Sequence, residues 1–526
     1  MGALMRWAGS YHAVLATNDE TWACGDVAGM RPVFWAECAG VVLMGDHARL
    51  LAEATGTVTI DTSYLALHLL GPVPPLALTE SGATGYRGVR AAPPGTALRL
   101  DGDGRTRVRQ WWSVPDDEHT LPEGAPVLKD ALRSAIAVRT HGESVVGCEL
   151  SGGADSTALS ALAYGHVGGE RLVNLTRAPA DPGNDDLDWA RSAAGSQPGA
   201  RHDILDVGVV PAQFVGLEAP FALDTPSPSA ASPRRAAFWW EHAASAGVRV
   251  LLSGKGGDEL MPTALSYLAH ARRRDRATAR RHVIGWAALW GVPAQHVKVQ
   301  AADPGPYQRW LAGCLTHGRD DSFGWEAGPY VPPWLTGWAR TMLADTLRAA
   351  AEGAEPLHER PHQHSTMAAI RALARWNRLQ ADAASSFGIQ LVYPYADQQV
   401  IEAALATRAE ARTSPYRNKP LLTAAVSGLV PAANLTRRTK GGYNADTSRA
   451  ARPARAMFTK LLSDDCELAR SGLIDPDRLR TAVRGWDRTD DRTDLLLHLT
   501  LMCEVWARTT SNRPLPAPVP FEETAC

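Results

Sequence analysis

The sequence predicts an α/β protein: a strand-rich α+β unit in front, a parallel sheet flanked by helices behind it, and a largely helical C-terminal part. Three observations predict it. Short strand-like runs fill the first 115 or so residues. From Val127 onward, short apolar runs alternate with stretches of helical spacing, the pattern of a parallel sheet with helices on both faces. After Asp258 helical spacing dominates to about Arg508.

Taken in order, Tyr11–Thr17, Val33–Ala36 and Gly40–Met44 are rich in Val, Trp and Phe and bounded by Gly, Asp and Asn, so they read as strands. Thr62–Leu70 reads as a short helix. Ala97–Leu100 and Val108–Trp112 flank Asp101-Gly102-Asp103-Gly104, a hairpin turn signal. Pro115 to Pro126 is acidic, contains proline, lacks an apolar period and reads as a linker. Val127–Thr140 then has helical spacing, Ser144–Leu150 is a short apolar strand, and Thr157–Tyr164 opens a helix. Leu172–Thr176, Asp203–Asp206 and Val248–Leu252 are further strands, separated by helical Leu187–Ala194 and Arg235–Ala246. Asn512 to Cys526 contains four prolines and reads as an extended tail.

Composition excludes several classes. The 526 residues are 45% hydrophobic and 21% charged, which describes a globular chain and not a disordered one. Lys plus Arg total 54 against 56 for Asp plus Glu, without the basic excess of a dedicated nucleic-acid binder. No apolar run approaches the roughly 18 to 20 residues of a membrane span. Met1 to Ser10 lacks the basic stretch and long apolar run of a secretory signal, so a cytoplasmic location is the expectation. The cysteines (Cys24, Cys38, Cys148, Cys314, Cys466, Cys503 and Cys526) are odd in number and show no C-x-x-C spacing. That favours free thiols over a disulfide framework or a cysteine zinc site. The 17 tryptophans read as core filling and apolar pocket walls.

The chemistry concentrates in two segments. Val145–Leu150 runs into Ser151-Gly152-Gly153-Ala154-Asp155-Ser156, giving strand, glycine-rich loop and helix. Adjacent glycines let backbone N–H groups close around an anion, and a helix start adds its positive dipole end. Ser151 and Ser156 offer hydroxyl donors to phosphate, and Asp155 offers a carboxylate to Mg2+. The segment is neither a Walker A loop nor G-x-G-x-x-G. Alone it is also consistent with an ordinary strand-to-helix turn. Val250-Leu251-Leu252 runs in the same way into Ser253-Gly254-Lys255-Gly256-Gly257-Asp258-Glu259. Parallel strands present their C-terminal ends on one edge, so the two loops are expected to meet there with Asp155 and Asp258 sharing one Mg2+. Two such loops about a hundred residues apart are harder to explain as turns.

These residues carry a resemblance. Ser151–Ser156 resembles the pyrophosphate-binding loop of the ATP-pyrophosphatase superfamily, and Ser253–Glu259 the second loop of its asparagine synthetase branch. Tyr393-Pro394-Tyr395-Ala396-Asp397 is similar to that branch's Pro-Phe-Leu-Asp signature. Lys419-Pro420-Leu421-Leu422 and Arg437-Arg438-Thr439-Lys440-Gly441-Gly442-Tyr443 resemble its C-terminal elements, in the same order. Gly25-Asp26 through Arg31-Pro32-Val33-Phe34-Trp35, with Pro93-Pro94-Gly95, resembles the glutaminase half of those enzymes. The resemblance implies residues 1–118 as a degenerate glutaminase-like, Ntn-type α+β domain. It implies 119–526 as an ATP-pyrophosphatase domain that forms amides.

Residue 2 is Gly2 where such a glutaminase carries its nucleophilic cysteine, so no ammonia from glutamine is expected. The amine must then come with the substrate, as in the ring-closing branches: β-lactam and carbapenam synthetases, and lasso-peptide macrolactam synthetases. Gln390 stands seven residues before Asp397, where the asparagine synthetase pattern has a glutamate. Length, degenerate front and the Gly-Gly-Asp-Glu loop favour the lasso-peptide enzymes. The alternatives are a small-ring synthetase, a glutamine-independent amide ligase of asparagine synthetase type, and a non-enzymatic scaffold.

The resemblance implies ATP and Mg2+ as cofactors, with Mg2+ on Asp155 and Asp258. It implies ATP phosphates over Ser151, Gly152, Gly153, Asp155, Ser156, Ser253, Gly254, Gly256 and Gly257, and Lys440 as the essential lysine. Partners implied are a linear core peptide, a leader peptidase and a leader-recognition protein, with no nucleic acid. His358, His362 and His364 cluster in sequence, but no fourth ligand accompanies them and zinc is not expected. Arg272-Arg273-Arg274-Asp275-Arg276 through Arg280-Arg281 reads as a solvated helix face, or more weakly as a contact for an acidic partner. Lys255 is left between touching phosphate and pointing to water.

Overall fold

The computed structural model describes residues 7–71, 73–181, 183–315, 324–437, 441, 444–486 and 491–513. Among them, strands form three sheets. The strands are β1 (Ala13–Ala16), β2 (Glu20–Cys24), β3 (Val33–Cys38), β4 (Val41–Gly45), β5 (Val89–Ala92), β6 (Thr96–Asp101), β7 (Thr106–Gln110), β8 (Val146–Glu149), β9 (Leu172–Arg177), β10 (Arg201–Leu205), β11 (Val250–Leu252) and β12 (Gln390–Val392).

The front unit holds two antiparallel sheets, ordered β1-β2-β6-β7 and β4-β3-β5. The expected hairpin joins β6 to β7: Gly104 N–H donates to Asp101 O at 2.9 Å, with Gly104 at φ +79°. Leu65, Leu69 and Leu70 of this unit share one core with Leu343, Leu347 and Trp506 far along the chain. The front is therefore packed into the body of the protein.

The expected linker is in fact structured. Thr120 and Glu123 form a capping box, each side chain reaching the other's backbone, and start the helix Leu121–Thr140 inside the acidic stretch. Asp117 is fully buried and receives Arg360, Arg274 Nη1 at 3.4 Å, His362 Nε2 at 3.4 Å and Ala409 N–H at 3.2 Å. Burial by itself would raise this carboxyl; the His362 hydrogen bond, with the charges of His362 and Arg274, outweighs burial and holds it well below the usual carboxylate range. Proline content and missing periodicity suggest a linker because neither reveals a clasp made to residues far along the chain.

The parallel sheet has the order β10-β9-β8-β11-β12. β8, β9 and β11 are buried on both faces, which explains their continuous apolar runs, whereas the edge strand β10 is partly exposed. The expected strands and helices are present here, with ends shifted by a few residues. β12 is additional: three residues are too few to show a period, and it follows the 25-residue helix Pro361–Ser385. From β8 the chain proceeds outward to β9 and β10 on one side and to β11 and β12 on the other. The order reverses between β8 and β11, and ligands bind beyond the C-terminal ends of strands at such a switch point.

Candidate active site

Both glycine-rich loops lie at that switch point. After β8, Gly152 adopts φ +75°, and a Cβ there would stand 2.5 Å from Asp186 O, so the turn requires glycine. The Ser156 hydroxyl closes the loop by accepting from Ser151 N–H at 3.1 Å and donating to Gly153 O at 3.2 Å. The helix Ala154–Val167 then places Asp155 in its first turn.

The second loop lies directly against the first. A Cβ on Gly254 would come within 2.9 Å of Ser156 N, and one on Gly257 within 2.3 Å of Asp155 Cγ. Glycine at these positions is what lets the loops touch. Ser253 Oγ donates to Glu149 Oε2 at 2.6 Å, tying the second loop to the end of β8, and Trp239 Nε1 donates to Glu149 Oε1 at 3.1 Å. Glu259 is raised above the usual carboxylate range, first by burial and then by neighbouring Asp258.

Asp155 and Asp258 converge as expected, and a third residue joins them. Lys419 Nζ donates to Asp155 Oδ2 and to Asp258 Oδ1, the latter at 2.6 Å. Lys419 sits at φ +44° just before the helix Pro420–Ala425, a left-handed conformation that costs a non-glycine residue roughly 1–2 kcal/mol. Such strain persists where the surroundings over-determine it. Two carboxylates meeting one cation, with no Cβ at Gly257 to crowd them, form a donor set chemically suited to a hard divalent ion. Among the described residues no group of three or more His, Cys, Asp or Glu side chains forms a metal site.

Other elements frame this centre. Tyr395 Oη donates to Asp155 O at 3.1 Å, and burial followed by the Asp155 charge raises its phenol well above the ordinary value. Asp397 is structural: it accepts from Gln399 N–H at 3.0 Å and from Arg139 Nη1 at 2.8 Å. Arg437 binds Asp185 and Asp186 and donates to Gly152 O at 3.2 Å, and Gly441 N–H donates to Asp186 Oδ1 at 3.1 Å. Lys440, Arg438 and Thr439 lie outside the described residues. The cavity in front of the loops measures about 850 Å3, and its lining includes Ser151, Asp155, Asp258, Lys419 and Arg437. Trp286, Leu289 and Tyr416 line it elsewhere.

The remaining sequence candidates separate. Lys255 lines the cavity and donates to Gln380 Oε1 at 2.6 Å. His358, His362 and His364 face three different carboxylates: Asp116 at 3.3 Å, Asp117 at 3.4 Å and Glu326 at 3.1 Å. The basic run is only partly a solvated face, since Arg274 reaches Asp117 and Glu118. Gln390 is exposed at the start of β12. In the front unit Cys24 is buried, and burial pushes its thiol above the ordinary value. Sequence reasoning missed Lys419, Arg437 and Glu149 as parts of the site. For Lys419 a signal existed: a lysine before a helix-opening proline, inside a segment already singled out.

Residues 127–508 match the family described as Asparagine synthase. A putative glutamine-hydrolyzing asparagine synthetase of Mycobacterium tuberculosis is 26% identical over 459 residues, 81% of this chain and 64% of that protein's length. Asparagine synthetase [glutamine-hydrolyzing] 3 of Bacillus subtilis is 25% identical over 177 residues, 33% of this chain and 28% of the relative. Carboxyethyl-arginine beta-lactam-synthase of Streptomyces clavuligerus is 27% identical over 174 residues, 32% of this chain and 30% of the relative.

Proposed function

Because the chain belongs to the asparagine synthase family, we propose that it is an ATP-dependent carbon–nitrogen ligase that closes a macrolactam ring in a linear peptide, as lasso-peptide synthetases do. The observation that carries this reading is the convergence of Asp155 and Asp258 from two glycine-rich loops at the switch point of a parallel sheet. ATP is a substrate here, its phosphates lying over Ser151–Ser156 and Ser253–Gly257. Mg2+ on Asp155 and Asp258 would neutralise phosphate charge. Lys419 then supplies positive charge beside the phosphates, and Tyr395 and Gly257 keep Asp155 in place.

An oxygen of an Asp or Glu side-chain carboxylate of the peptide attacks the α-phosphorus, and pyrophosphate leaves. The peptide's N-terminal amine attacks the acyl carbon, loses a proton, and AMP leaves. Lys440 is assigned the stabilisation of negative charge in these steps, the largest kind of catalytic contribution. Holding amine and carboxylate together offsets the entropy of ring closure. Residues 1–118 act as a retained glutaminase-like shell without glutamine hydrolysis, a role supported by the burial of Cys24. A leader peptidase and a leader-recognition protein are the proposed partners, and the cytoplasm the proposed location. No helix among the described residues is long and apolar enough to cross a membrane.

The test is incubation with ATP, Mg2+ and linear peptide. The expected products are AMP, pyrophosphate and a peptide lighter by one water, with hydroxylamine intercepting the activated carboxylate. Stoichiometric ADP would rule the mechanism out. The similarity to the Streptomyces β-lactam synthase favours a second reading, ring closure in a small amino acid. Comparing product from small amino acids and from peptides decides between the two.

A further inference from the structure

Besides the polar groups that the proposed reaction uses, the cavity is lined by large apolar side chains, with Arg417 and Asn418 following Tyr416. Leu289 is 61% exposed and Tyr416 46% exposed, and both line the same cavity as Asp155, Asp258 and Lys419. Trp286, on the helix Arg276–Trp290 with Leu289, lines the cavity too, and its ring lies 5.1 Å from that of Trp290, which is 42% exposed. The apolar surface thus continues from the cavity out to solvent. Large apolar side chains grouped at the mouth of a site mark a surface that something covers.

Its placement relative to the reacting groups is fixed. A Cβ on Gly285 would stand 2.5 Å from Pro415 Cγ and 2.7 Å from Tyr416 Cζ, so glycine lets the helix lie directly on the segment leading to Lys419. Tyr416 Oη donates to Arg281 O at 2.6 Å and locks the two together. Any group lying on this wall is therefore held at a set distance from the Lys419 ammonium. At about 850 Å3 the cavity is also near the upper end of the roughly 300–1,000 Å3 usual for small-molecule sites.

We infer that Trp286, Leu289 and Tyr416 are specificity-determining residues, forming the wall that holds apolar side chains of a peptide substrate beside the carboxylate being activated. This rests on the proposed ligase reading. A nucleotide base confined to the cavity leaves the outward continuation through Trp290 unexplained, whereas a chain passing from the reacting centre to solvent covers all of it. The wall selects a peptide with apolar residues near its acceptor Asp or Glu over a short polar amino acid.

The test uses the full chain and a synthetic linear peptide with N-terminal glycine, one aspartate and Leu, Phe and Trp among its other residues. One sample is unlabelled for turnover, and another carries fluorescein at its C-terminus for binding. The variants are Leu289→Asp and, as a control, Ile284→Asp, an exposed position on the same helix that does not line the cavity. Thermal melts check folding. The expected result is a rise of about tenfold or more in peptide KM and Kd for Leu289→Asp, with the ATP KM unchanged and the control at wild-type values. An unchanged peptide KM and Kd overturns the wall, as does a parallel rise in the ATP KM, which would make it a base-binding surface. Leu289-dependent binding without AMP formation by the wild type would overturn the ligase reading and leave the wall standing. Turnover insensitive to Leu289 would do the reverse, and a wild type that binds no peptide would remove the wall.

Discussion

The loops Ser151–Ser156 and Ser253–Asp258 both join a strand of the parallel sheet to a helix, and both offer an aspartate to the same cavity, yet they are built differently. The first continues into the 14-residue helix Ala154–Val167, and the Asp155 side chain is only 13% exposed. The second enters a single turn, Gly257–Leu260, and leaves Asp258 51% exposed. Asp155 is further fixed by the Tyr395 hydrogen bond to its backbone. The first loop is thus a rigid frame and the second a more adaptable edge laid against it. Similar residue patterns divide the work of one site because their surroundings differ.

The comparison predicts unequal losses. Asp155→Ala and Asp258→Ala should each abolish product formation without unfolding the chain. The milder Asp155→Asn should cost about a thousandfold in turnover or more and Asp258→Asn about a hundredfold, because the exposed position lets water or phosphate substitute in part. Turnover under varied Mg2+ checks this, and equal losses would break the distinction between frame and edge.

The lysines come next. Lys419→Met removes the cation that both loops address and should lower turnover about a hundredfold with folding retained. Lys440→Ala is expected to cost a similar factor, and Lys440→Arg to rescue it only partly, because a planar fork does not replace a compact ammonium. Cyclised product by mass spectrometry measures both, and near-wild-type turnover in either removes that lysine from the catalytic set. Glycine substitutions sharpen the contact between loops. Gly257→Ala, whose methyl meets the Asp155 carboxylate, should reduce turnover about tenfold or more, and Gly254→Ala, against Ser156 N, somewhat less.

A smaller effect concerns Glu259, beside Asp258. Its folded-state pKa is raised, so its favourable contribution is complete below the unfolded value and is lost as pH rises through the folded one. Glu259→Gln should therefore raise Tm by about 1 °C at neutral pH and leave it unchanged near pH 4. Melting curves at the two pH values check the sign. The smallest effect is in the front unit: Cys24→Ser should leave turnover unchanged, and added glutamine should release no glutamate. Cys24-dependent glutamate release would overturn the shell role.

The two loops are legible in the amino-acid sequence because each is one local unit, in which apolar strand, glycines, carboxylate and helix start follow within about a dozen residues. The same locality makes β8, β9, β10 and β11 readable, and their alternation with helices implies a parallel sheet whose edge gathers both loops. The rest depends on tertiary contacts. Lys419 is separated by 264 residues from Asp155 and by 161 from Asp258, and nothing in its neighbourhood states that it will stand between them. Asp117 reads as part of a linker because its partners, Arg274, Arg360 and His362, come from segments far along the chain. His358, His362 and His364 read as a cluster because they are close in sequence, whereas side chains around a helix start point to different neighbours. Local sequence specifies the short-range geometry that prepares two carboxylates. Which cation meets them follows from packing between segments far apart in the chain, where no local pattern records the partner.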